Sequence, residues 1–205
     1  PVSDRDPGST REAILEAART AFAQRGYAGA SIGDIAGAVG IAKASLLHHF
    51  PNKDELYTAT FERLLAEWFV KIEGAVAHDP SPDGWTQFER GLTAGFEFFG
   101  ENPDVVRLVR REALDGGHFG VDLGATLRPM FEQAVGFLER QMKEGTFRDH
   151  DPEQLVISGL GAVLSYFSDL PFIEGLLGRD PLATEELERR QNHMREFFRA
   201  ALEPA

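Results

Sequence analysis

The sequence predicts an all-α fold of about nine helices: a small three-helix unit containing a helix-turn-helix, then a larger helical bundle. Three observations predict it. Apolar residues recur at helical spacing in segment after segment, and no stretch alternates with period two. Capping sequences punctuate the chain, among them Ser31-x-x-Asp34, Asn52-x-x-Glu55 and Asp151-Pro152-Glu153-Gln154. Finally, 14 of the 16 phenylalanines and both tryptophans fall within residues 60–205, the composition of a helical core rather than of linkers.

The first helix is expected to start at Ser9, with Glu12 as capping partner and Ile14, Leu15, Ala18, Ala21 and Phe22 as its apolar stripe. Ser31 caps the second helix, whose face is Ile32, Ile35, Ala36 and Val39, and Gly40 ends it in left-handed backbone. The third runs from Lys43 to Phe50, with Ala44 and Leu47 spaced to pack on the second, and Pro51 stops it. Asn52 and Glu55 start a fourth helix from about Lys53 to Val76. Its apolar face, Leu56 to Ile72, is too long for the small unit alone. HDPSPDG (78–84) reads as a loop. A fifth helix carries Trp85, Phe88, Leu92, Phe96 and Phe99, and a short sixth spans roughly 104–114. DGGHFG (115–120) is a second loop, with His118 at its surface. The seventh helix carries Leu123 to Met142, and Pro129 within that pattern either kinks it or starts it. Asp151 and Pro152 start the eighth, and the last begins near Thr184.

Residues 31–56 carry the most information. Two short helices around a tight turn are the unit that places a helix end in the DNA major groove. Read from punctuation alone, the same residues also suit an ordinary helical hairpin. The details go further. Asp34, Ile35, Ala36, Gly40, Lys43, Leu46, His48, Phe50, Pro51, Lys53 and Leu56 match a motif of the form DIA…GVS.G.LYHYFP.K..L. With TREAILEAARTAFAQRGY before it, the segment resembles the DNA-binding domain of the TetR family of bacterial transcription regulators, over roughly residues 9–60. Three positions depart from the family pattern: Ala42 replaces a Ser or Thr, and Leu47 and His49 replace two aromatic phosphate contacts.

The resemblance implies a DNA-binding domain over residues 1–60 and an effector-binding and dimerisation domain over 61–205. It implies a ligand-responsive regulator, most simply a repressor, that binds palindromic double-stranded operator DNA as a homodimer and is released by a small, mainly apolar effector. Ser31, Ala42, Lys43, Ala44, Ser45, His48, His49 and Lys53 are the expected DNA contacts. A rival reading is an all-α small-molecule-binding protein or enzyme with an incidental hairpin. A third is an adaptor that kept the fold and lost DNA binding.

Charge does not oppose the DNA reading. The net charge is −12. Residues 1–60 hold six Lys/Arg against seven Asp/Glu, and residues 10–53 hold five against three. Phosphate contact needs local rather than global positive potential. The chain has no cysteine, which excludes disulfides and thiolate metal sites. It shows no apolar leader or membrane-length apolar run, so a cytoplasmic protein without membrane contact is expected. No glycine-rich phosphate loop, H-E-x-x-H or nucleophile elbow is present, so neither enzyme chemistry nor a cofactor or metal is expected.

In the bundle, Trp68, Phe96, Phe99, Met130, Phe131 and Phe137 are candidate effector contacts, although any one of them alone reads first as plain core. Glu112 projects from an apolar face formed by Val105, Leu108, Val109 and Ala113. A carboxylate there must be paired or have a raised pKa, and it reads either as a salt bridge to a neighbouring helix or as a polar anchor for the effector. On the eighth helix, Ser158, Gly161, Ala162 and Ser165 form a small-residue face. With Met194 and Phe198 on the last helix, it is the expected dimer interface in the four-helix arrangement that the resemblance implies.

Overall fold

The computed structural model describes residues 7–77, 83–115 and 122–204. All the regular structure there is helical: α1 (Pro7–Gly29), α2 (Ile32–Val39), α3 (Lys43–His49), α4 (Lys53–Ala77), α5 (Gly84–Glu101), α6 (Pro103–Asp115), α7 (Leu123–Lys143), α8 (Pro152–Ser168), α9 (Leu170–Leu177) and α10 (Thr184–Leu202). These are ten described helices where about nine were expected, and the addition is α9. His118 and most of the two expected loops lie outside the described residues.

The described residues divide into two compact units. One comprises those within Pro1–Glu67 and Arg107–Leu123, the other those within Trp68–Val106 and Gly124–Ala205. A single cut at residue 60 therefore misses the C-terminal part of α6, which belongs with the N-terminal helices. α4 and α6 each contribute to both units.

The first unit is built as the apolar spacing dictates. Ile14, Leu15, Ala18, Ala21 and Phe22 of α1 are buried, as are Ile35 and Ala36 of α2, Leu46 of α3, and Leu56, Tyr57, Phe61, Leu64 and Leu65 of α4. Phe22, Tyr57 and Phe61 interlock edge-to-face, with centroids 4.8 Å and 5.0 Å apart. α1 begins at Pro7, so Ser9 lies inside its first turn and is not its N-cap. Near its C-terminus α1 breaks at Gly26 (φ 69°, ψ 176°). Glycine suits this position for its left-handed backbone, and a Cβ there would also displace the Arg111 guanidinium.

The second unit is built around α5, with α8 and α10 packed on it. Phe96, Phe98 and Phe99 of α5 are buried, with Val163, Tyr166 and Phe167 of α8 and Met194, Phe198 and Leu202 of α10. Phe147, after α7, is 2% exposed and stacks edge-on against Trp85 at 4.8 Å. α7 continues through Pro129 as one helix, which excludes a start at that proline. Its apolar row is half-buried, and only Leu138 is fully so.

Candidate nucleic-acid interface

Local chemistry sets up the helix-turn-helix. Ser31 Oγ accepts from the Asp34 N–H at 3.0 Å, as an N-cap should. Asp34 then pairs with Arg25 of α1 at 3.0 Å, tying the start of α2 to the preceding helix. Gly40 sits at φ 75°, ψ 32°, and its N–H reaches back to the carbonyls of Ala36 and Gly37. The chain then enters α3 through Ala42 in extended backbone, whose carbonyl accepts from Ser45 and Leu46. Ala42 lacks the side-chain cap that a Ser or Thr would supply, so the first N–H groups of α3 have no side-chain acceptor from it.

The packing of α3 departs from expectation in an instructive way. Ala44 is exposed and Leu47 only half-buried; Leu46, 0% exposed, and Phe50, 3% exposed, hold the helix. The i,i+4 pair Leu46/Phe50 turns the helix about its axis relative to the predicted Ala44/Leu47 face. As a result Ala42, Lys43, Ala44 and Ser45, the whole first turn, face outward. Arg11 lies 4.9 Å over the Phe50 ring and braces the other end.

Asn52 and Glu55 form the reciprocal capping box at the start of α4: Asn52 Oδ1 accepts from the Glu55 N–H at 2.9 Å, and Asn52 Nδ2 donates to Glu55 Oε1 at 3.0 Å. The next residue, Lys53, has its ammonium 4.2 Å over the Tyr27 ring. Tyr27 donates to Asp54 Oδ1 through a short hydrogen bond. Burial, that hydrogen bond and the Asp54 charge push the Tyr27 phenol up to about 12. Burial lowers the Lys53 ammonium from its ordinary value, with Asp54 opposing the shift. Tyr27 is thus a platform that positions Lys53. Its place at the end of the first helix was visible in the sequence, but its partner was not. Ser31 and His48 are exposed, His49 is half-buried, and the two imidazoles stand 6.0 Å apart.

Glu112 is 1% exposed and falls in the first unit, whereas the other residues expected at the effector fall in the second. Its Oε2 accepts from Tyr57 Oη at 2.7 Å, and Oε1 has no partner among the described residues. The expected salt bridge is therefore replaced by a phenol hydrogen bond, and Ala113, placed on the same face, is exposed.

In the second unit the candidate effector residues separate into two aromatic groups. Trp68, Phe96 and Phe99 cluster about Phe167, with Trp68 and Phe99 at 5.1 Å and Phe96 and Phe167 at 4.9 Å. Phe137 instead packs 6.1 Å from Phe147, in a cluster centred on Leu138, Phe147 and Leu202. Met130 and Phe131 are half-buried on α7. Trp68 Nε1 is buried without an acceptor among the described residues.

The residues expected at a dimer interface also divide. Met194 and Phe198 are 3% and 4% exposed, inside the subunit's own core, with Phe198 5.6 Å from Phe88. That removes both from any contact surface, and Phe197, 58% exposed, takes the outward position. Arg190 donates to the Ala162 carbonyl at 3.1 Å, and a Cβ at Gly159 would lie 3.1 Å from Phe198 Cζ. That side of α8 is therefore covered by α10 of the same subunit. Around a Cβ at Gly161 there is open space, Ser158 is exposed, and Ser165 is half-buried.

Comparison with known proteins agrees with this architecture. Residues 14–60 match the model of bacterial regulatory proteins of the tetR family, and residues 86–197 match that of a tetracyclin repressor-like C-terminal domain. The chain is 40% identical over 155 residues to the transcriptional repressor AcnR of Corynebacterium efficiens, covering 65% of this chain and 82% of that protein. It is 26% identical over 175 residues to the transcriptional regulator RutR of Escherichia coli K12, covering 85% and 81%. Among solved structures it is similar to AibR in complex with isovaleryl coenzyme A and operator DNA, with TM-score 0.71, 20% identity and coverage of 92% and 97%. With both halves matched and a 40% identical relative covered over most of its length, the chain belongs to the TetR family of bacterial transcription regulators.

Proposed function

We propose that this regulator is a ligand-responsive repressor that binds a two-fold symmetric operator as a homodimer and is released by a small, mainly apolar effector. The observation that carries the DNA part is the outward-facing first turn of α3, Ala42 to Ser45, anchored from behind by Leu46 and Phe50. A helix N-terminus with free backbone donors meets phosphate or base edges without rearrangement. Lys43 and Ser45 flank that turn. Ser31, His48, His49 and Lys53 are the proposed backbone contacts, with Lys53 held in place by Tyr27.

The dimer reading is supported by exposed apolar residues along the last helices: Ile157 on α8, Phe172 and Leu176 on α9, and Phe197 on α10, each more than half exposed. Ser158, Gly161 and Ser165 offer close approach beside Ile157. For the effector, the cluster of Trp68, Phe96 and Phe99 is the preferred apolar lining, with the unpartnered Trp68 Nε1 as a donor within it. The ligand and operator named with AibR support the same pattern of use. Residues 1–60 would then read DNA and residues 61–205 would bind effector and partner.

The test is salt-dependent binding of the chain to DNA upstream of its own coding sequence, against a scrambled duplex of equal length. Specific binding by a dimer supports the reading. Equal affinity for both duplexes, or none for either, removes the operator function and favours a small-molecule carrier with an incidental hairpin.

A further inference from the structure

We propose that a cleft between α4, α5 and α10 is a binding site for a small organic monocarboxylate. None of the residues proposed to meet the effector lines it, and it holds whether or not the chain reads DNA. The cleft is open to solvent, has a volume of about 610 Å³, and is lined by Gly74 and Ala75 of α4, by Arg90, Thr93 and Ala94 among the α5 residues, and by Arg195 of α10. That volume is in the range of small-molecule sites, roughly 300–1,000 Å³.

Its charges are incompletely matched. Two carboxylates, Glu89 and Glu97, also line it, and each has a cation: Arg199 lies 3.5 Å from Glu89, and Lys71 lies 3.8 Å from Glu97. Neither arginine lining the cleft has an anion among the described residues. Arg195 donates only to neutral oxygens, Thr93 Oγ1 at 3.1 Å and Asn192 Oδ1 at 3.1 Å. Arg90 has no hydrogen-bond or ion-pair partner among the described residues, and its Nη1 is shielded from solvent with nothing to donate to. A partly buried guanidinium without an acceptor is costly, and an incoming carboxylate supplies one.

The rest of the lining selects among anions. The planar guanidinium fork matches a carboxylate in bidentate geometry. Glu89 and Glu97 at the walls oppose a second negative charge, so a monocarboxylate is preferred to a phosphate ester. Gly74 and Ala75 on one side and Ala94 on the other leave an apolar floor, and a Cβ at Gly74 would meet nothing within 4 Å. An aromatic or short aliphatic body fits against that floor.

The test uses the full chain without DNA and three probes that share one body: 2-naphthoate, 2-naphthamide and 2-naphthyl phosphate, titrated by calorimetry. Expected is binding of 2-naphthoate at least about tenfold tighter than of either other probe, the increment of one charge-assisted hydrogen bond. Arg90→Gln should weaken 2-naphthoate about tenfold and leave 2-naphthamide unchanged. Gly74→Leu projects a bulky side chain into the cleft from an exposed helical position and should weaken binding of every probe, while circular dichroism verifies that the fold is kept. Equal affinity for acid and amide, unchanged binding in both variants, or no binding of 2-naphthoate overturns the proposal. Tighter binding of the phosphate overturns the choice of carboxylate.

Discussion

Replacing Lys43 by alanine tests the proposed reading surface most directly. Lys43 is the first residue of α3, exposed, and beside the outward-facing turn. Its removal leaves no cavity and breaks no described ion pair, so folding should be unaffected. Each phosphate neutralised contributes about 0.9 to the slope of log K against log salt on duplex DNA. In a two-fold dimer the substitution removes two contacts, so the slope should become shallower by about 1.8. Between 50 mM and 200 mM salt, wild-type affinity should fall about twelvefold more steeply than that of Lys43→Ala. Fluorescence anisotropy with labelled operator at four or more salt concentrations measures this. Lys71→Ala is the control: Lys71 lies on α4 in the second unit, 2.9 Å from Glu101, and its loss should leave the slope as it is. An unchanged slope for Lys43→Ala, with operator binding otherwise intact, would show that α3 does not face phosphate.

Leu46→Ala should destabilise the chain by about 2–5 kcal/mol, because a fully buried leucine is truncated at the only anchor of α3 besides Phe50; chemical denaturation measures it, and a loss below about 1 kcal/mol contradicts the packing. Tyr27 titrates higher in the folded chain, at about 12, than its ordinary 10.0, so the stability linked to its protonation is complete below pH 10 and is lost as pH rises toward 12. Since the lowered Lys53 works in the opposite direction, the wild type must be compared with Tyr27→Phe, which should lose less stability over that window. Gly161→Leu points into open space within the subunit, so the monomer should fold, while a crowded two-fold contact should cost about 2–6 kcal/mol and raise the dimer dissociation constant at least about thirtyfold. Sedimentation of an intact dimer at low concentration would move the interface away from α8.

What was legible in the sequence was local. Ser31 with Asp34, Gly40, Asn52 with Glu55, and Asp151 before Pro152 all act within a few residues of themselves, and each cap is observed. The burial of α1 and α4 followed from apolar spacing alone. What was not legible depended on partners far along the chain. Met194 and Phe198 share an apolar face, but spacing does not tell whether that face meets its own α5 and α8 or a second subunit. Glu112 was recognisable as a buried carboxylate, whereas its partner Tyr57, 55 residues earlier, reads as one more apolar position on α4. α9 was hidden because its apolar run continues that of α8. Asp169, which closes one helix and opens the next, and Pro171 in the first turn of α9 mark the break.

The anchoring of α3 by Leu46 and Phe50 also bears on how such a protein diversifies. Because Lys43 to Ser45 are exposed, substitutions there fall among the surface changes that usually alter stability by no more than about 0.5 kcal/mol. With α3 as the proposed reading helix, operator preference would be nearly uncoupled from foldability: a duplicated copy could acquire a new target through a few surface changes while the core that holds the helix is inherited intact.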